Sequence, residues 1–78
     1  MNVVNAAANT LTFIGADVVA RRAEGGHRIE HAKWMLQGIS RGYIQHEKAH
    51  RWLGYAQGLL VMMSVASLHD MKEANKHA

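Results

Sequence analysis

The run Ile44-Gln45-His46-Glu47-Lys48-Ala49-His50-Arg51-Trp52-Leu53-Gly54-Tyr55-Ala56-Gln57-Gly58-Leu59-Leu60-Val61-Met62-Met63 decides the fold. Within it Ala49, Trp52, Leu53, Ala56, Leu59, Leu60 and Met63 recur at steps of three and four, so a helix over about 44–63 carries all of them on one face. Upstream, Ile29, Ala32, Leu36 and Ile39 make a single stripe on a helix over about 27–40, starting at His27 or Arg28 and running to Ser40. Gly42 is placed to end it in a left-handed conformation. Two apolar stripes joined by a short connection predict an antiparallel helical hairpin.

Further out, Ser67-Leu68-His69-Asp70 reads as a capping box, with Ser67 accepting a backbone N–H and Asp70 reaching back. It starts a short C-terminal helix that runs to about Asn75. On the other side, Val4, Ala7, Ala8, Leu11, Ile14, Gly15, Val18 and Val19 recur at helical steps, predicting an N-terminal helix over Val3 to Ala23. The alternation Thr10-Leu11-Thr12-Phe13-Ile14 would suit a short strand, but no hairpin turn signal follows it. Gly25-Gly26 marks a break or a weak point. The whole of 1–78 therefore reads as one small all-α domain.

Composition sets limits on function. The chain has 78 residues, of which 49% are apolar and 6% aromatic, and it contains neither Pro nor Cys. Disulfides and thiolate metal sites are excluded, and a chain this short has no second lobe with which to build a deep enzymatic cleft. The net charge of +3 permits an anionic partner without requiring one. The apolar stretch from Val3 to Ala20 is interrupted by Asn5, Asn9, Thr10, Thr12 and Asp17, and Leu59 to Leu68 is too short to span a bilayer. Arg21 and Arg22 follow the first stretch rather than precede it, so no secretory signal is expected and the protein is read as cytoplasmic.

The faces opposite the two stripes are unusual. His27, His31, Trp34, Gly38 and Arg41 share the far side of the second helix; Ile44, Arg51, Gly54, Tyr55, Gly58 and Met62 share that of the third. Helices with two apolar or aromatic faces are buried twice, which predicts a homo-oligomer unless the first helix folds back over one of them. Gly38 with Gly42, and Gly54 with Gly58, are spaced so that another backbone or a flat ligand can approach closely.

Among chemical motifs, His46-Glu47-Lys48-Ala49-His50 matches H-E-x-x-H, the zinc-binding helix of metalloproteases. Without a cleft and a third ligand, His46 and His50 are weak metal candidates, although His69 could be a third ligand by sequence distance. No nucleophilic triad or phosphate-cradling glycine loop stands out, so the chain is read as non-enzymatic with no cofactor. The basic residues are spread over three helices and interrupted by Glu24, Glu30 and Glu47, a poor duplex-binding stripe. A small anionic ligand needs less. Arg51 and Arg41 can neutralise phosphate, Tyr55 and Trp34 can stack on bases, and Gly54 and Gly58 allow close approach. The same Trp34 and Tyr55 could instead anchor a protein interface.

The segments Glu47 to Leu60 and Ser67 to Asn75, with Arg21 to Glu30 upstream, resemble a family of small phage and prophage proteins. Its pattern is an R-W-L-G-F/Y-x-Q-G-x-L helix followed by a capped helix ending near M-K-x-x-N. The likeness covers about Arg21 to Asn75 and leaves out the first twenty residues and His46. The architecture is also similar to that of the phage anti-defence sponges, which oligomerise and sequester nucleotide signals. The resemblance implies a phage-encoded counter-defence protein that binds a cyclic nucleotide at subunit interfaces. The alternatives are a small helical adaptor or inhibitor that binds a host protein, and a nucleic-acid-binding accessory protein.

Overall fold

The computed structural model describes residues 1–22 and 28–78. It contains four helices, α1 (Val3–Leu11), α2 (Ile29–Ser40), α3 (His46–Met62) and α4 (Leu68–Lys76), and no strand among the described residues. The all-α prediction therefore holds. The Gly25-Gly26 break and the expected helical start at His27 lie outside the described residues.

The first helix departs most from expectation. Asn2 caps it by accepting from the Asn5 N–H at 3.0 Å, but it ends at Leu11 instead of Ala23. The Thr12 hydroxyl donates to the Asn9 carbonyl at 2.6 Å, and the N–H groups of Phe13 and Ile14 bond three residues back, to Thr10 and Leu11. Such tightening exhausts the ladder, and the β-branched residues and Gly15 that follow have little tendency to restart it. The chain then runs back along α2. Lys33 holds it there, its ammonium donating to the Val18 carbonyl at 2.6 Å and to that of Gly15 at 3.4 Å, while the Arg21 N–H bonds the Glu30 carbonyl at 3.0 Å. The buried face of α1 is also shifted from the predicted stripe: Val3, Ala6, Ala7 and Thr10 are buried, whereas Ala8 is exposed.

Helix α2 ends as Gly42 requires. This glycine adopts φ +75°, its N–H bonds the Ile39 carbonyl at 2.9 Å, and the Tyr43 N–H bonds that of Gly38 at 3.1 Å. That pair of bonds is a Schellman motif, which satisfies carbonyls the helix leaves open. Helix α3 ends in the same way but with Ser64 in the left-handed position, at φ 59°. Its N–H bonds the Val61 carbonyl at 3.1 Å, and the Val65 N–H bonds that of Leu60 at 2.9 Å. The capping box of α4 forms as anticipated: the Asp70 N–H donates to the Ser67 hydroxyl at 3.0 Å, and the Ser67 N–H donates to the Asp70 carboxylate at 2.9 Å. The Ser67 backbone and then its hydroxyl hold the Asp70 carboxyl below its ordinary value.

Leu36, Ile39, Leu53, Leu59 and Leu60 form the centre of the core, with Ala6, Ala7, Ala32, Ala49 and Ala56 allowing close approach between helices. Helix α1 packs on α2, α3 and α4, so it contributes to the same core. Two residues of the predicted α3 stripe sit differently: Met63 caps the helix and is exposed, and Trp52 is only half-buried. Gln57, not part of that stripe, is buried.

Candidate ligand-binding site

The half-buried Trp52 meets an equally half-buried Trp34 from α2. Their ring centroids are 5.6 Å apart with the planes tilted by 36°. Gly38 lies beside this meeting: a Cβ built there would be in ordinary van der Waals contact, 3.5 Å from Ile44 and 4.0 Å from Trp52. Ring stacking continues to His31, whose imidazole lies 5.6 Å from Trp34 at an interplanar angle of 20°. Two cations lie over the indoles. The Arg22 guanidinium is 5.9 Å from the Trp34 centroid, and the Lys48 ammonium is 4.9 Å from that of Trp52.

The tryptophan pair separates two recesses. One, of about 340 Å³, is lined by Arg22, His31, Met35 and Lys48 together with the indoles. The other, of about 280 Å³, adds Gln37, Gly38, Arg41, Tyr43 and Ile44 to the same two rings. No carboxylate lines either recess among the described residues. Flat apolar rings ringed by cations favour an anion that carries its own aromatic system, since stacking and charge pairing can then act on one molecule.

The predicted site residues are divided by this geometry. Trp34 and Arg41 line the second recess together. Gly54 and Gly58 face elsewhere, into an apolar groove of about 400 Å³ between α3 and α4 that Met62, Leu68, Met71 and Lys72 also line. A Cβ on either glycine would meet nothing within 4 Å, so packing within the chain does not demand them. Arg51 and Tyr55 are exposed on α3 and line neither the recesses nor this groove. His46 and His50 come together, with ring centroids 4.5 Å apart, but among the described residues no group of three or more potential ligands is arranged to hold a metal ion. His69 lies instead beside Glu73 on its own helix, at 3.8 Å.

Trp52, Lys48, Arg22, Tyr43 and Gln37 were not among the predicted site residues. For Trp52 a signal was present: Trp34 and Trp52 each lie nine residues from Tyr43, on opposite sides of the connection between the two helices. Neither α2 nor any other helix among the described residues is long and apolar enough to cross a membrane. No protein-family model matches the chain, and no curated protein or solved structure matches it either, so the chemistry of the site rests on its own residues.

Proposed function

We propose that this is a non-catalytic protein that binds an anionic nucleotide on the Trp34–Trp52 face of an antiparallel α2–α3 hairpin. In the cell it acts as a homo-oligomeric, phage-encoded counter-defence factor in the host cytoplasm, sequestering a cyclic nucleotide signal. The observation that carries the binding assignment is the indole pair, 5.6 Å apart, set among Arg22, Lys48 and Arg41 with no lining carboxylate among the described residues. The biological assignment draws on the phage-protein resemblance of Arg21 to Asn75. Self-association is supported by Gly54 and Gly58, whose open helical face no contact within the chain explains.

Both tryptophans of the chain lie in the proposed site, so intrinsic fluorescence reads binding without a label. Titration with a cyclic nucleotide produces saturable quenching, and Lys48→Gln weakens it. Fluorescence unchanged up to about 1 mM ligand would exclude useful affinity and with it the proposal.

A second reading is favoured by the groove between α3 and α4. Met62 and Leu68 are 69% and 61% exposed beside it, which suits an adaptor that docks on a host protein. In that case Leu68→Asp abolishes partner binding while nucleotide titrations stay silent.

A further inference from the structure

We infer that the Trp34–Trp52 site selects a guanine nucleotide, with its phosphate held toward Arg22 and Lys48 and its base toward Gln37 and Arg41. This deepens the nucleotide-binding proposal above and rests on it. The two recesses differ in chemistry. The Arg22–Lys48 side offers two cations and the His31 ring, with no neutral amide or hydroxyl side chain, which matches a phosphate. The other side has an apolar floor made by Ile44 and the indoles, with an amide, a guanidinium and a phenol around it, which matches the edge of a base.

The parts of that second recess are available for recognition. The Gln37 side chain makes no internal hydrogen bond among the described residues; its backbone carbonyl accepts from the Ser40 hydroxyl and the Arg41 N–H. Arg41 is exposed just beyond the last turn of α2, and Tyr43 is 77% exposed, so its ring can lie over a base. Guanine presents O6 and N7 as adjacent acceptors, and N1–H with its amino group as donors. The donor-only fork of Arg41 fits the first pair and the Gln37 oxygen fits the second. Adenine sets its amino donor beside N7, so it turns a donor toward the Arg41 fork. On the phosphate side, Arg22 and Lys48 lie over the indoles and have long, unbranched side chains that can pivot toward phosphate.

The experiment is a tryptophan-fluorescence titration of the full chain with cyclic GMP, cyclic AMP and guanosine, repeated on Arg41→Lys and Lys48→Gln after thermal melts show both variants folded. Cyclic GMP is expected to bind at least about tenfold more tightly than cyclic AMP, the scale of one good bidentate contact. Guanosine, lacking phosphate, binds more weakly than cyclic GMP. Arg41→Lys brings the two cyclic nucleotides close to equal affinity, whereas Lys48→Gln weakens both by the same factor and reduces the salt dependence. Equal binding of cyclic GMP and cyclic AMP to the parent chain would overturn the guanine assignment and leave nucleotide binding standing. Failure of every nucleotide to bind would overturn both.

Discussion

Gln57 offers the sharpest test of how the helices are held in register. It is 8% exposed in α3, and its amide nitrogen donates to the Thr10 hydroxyl at 3.0 Å and to the Asn75 side-chain oxygen, Oδ1, at 2.8 Å. Its own oxygen accepts from the Asn75 amide at 3.3 Å, so one side chain ties α3 to both α1 and α4. Replacing it by alanine removes these three hydrogen bonds. Each is worth about 1 kcal/mol net, and because Thr10 keeps its bond to the Ala6 carbonyl and water can reach the half-buried Asn75, the expected loss is about 2–3 kcal/mol. At a solvent-exposed helical position the same change would be slightly stabilising, because alanine is the better helix former. Urea and thermal unfolding followed by circular dichroism should show a drop in Tm of about 10–20 °C for a domain of this size. A double-mutant cycle with Asn75→Ala should give a coupling of about 1–2 kcal/mol. A loss below about 0.5 kcal/mol, or strict additivity with Asn75→Ala, would refute the register role of Gln57.

The helix ends and faces yield further tests. Ser64→Gly should raise stability by about 1 kcal/mol, because φ 59° is strained for serine, while Gly42→Ala should lower it by a similar amount at φ +75° although its Cβ would meet nothing; matching signs in urea midpoints would contradict this. Gly54→Ala and Gly58→Ala should each stabilise the isolated chain by up to about 1 kcal/mol and weaken self-association in analytical ultracentrifugation. Unchanged self-association would remove that face from the assembly. Asp70, with its pKa lowered from an ordinary 3.8, contributes stability that is fully present above that value and lost as the pH falls through the lowered one. Acid unfolding of Ser67→Ala should therefore lack part of the parent's pH dependence in this range, and superimposable curves would show that the capping box contributes nothing.

Much of the fold was legible because its signals are local. The Ser67–Asp70 box and the left-handed Gly42 are set by a few neighbouring residues, and the α3 stripe survives as Ala49, Leu53, Ala56, Leu59 and Leu60. The end of α1 was not legible from spacing, since the apolar period continues beyond Leu11 while hydroxyl bonds and the Lys33 anchor redirect the backbone. Likewise Gln57 lies outside the predicted apolar stripe, and its burial depends on partners from distant parts of the chain, Thr10 and Asn75. For the site, residue types were readable and grouping was not. Trp34 and Arg41 line one recess, but periodicity put Trp52 in the core stripe, and Gly54 and Gly58 open on a different groove while Arg51 and Tyr55 line neither. A helical wheel treats each helix alone, whereas the tryptophan pair depends on how α2 and α3 meet.

Native mass spectrometry of the full chain, with and without added cyclic GMP, tests nucleotide binding most directly. The predicted result is an oligomer that carries a releasable mass equal to the nucleotide, with lower occupancy for Lys48→Gln and for guanosine in place of cyclic GMP. A folded chain that stays bare at every nucleotide concentration, in whatever oligomeric state, would contradict nucleotide binding and favour the α3–α4 groove as the working surface of the protein.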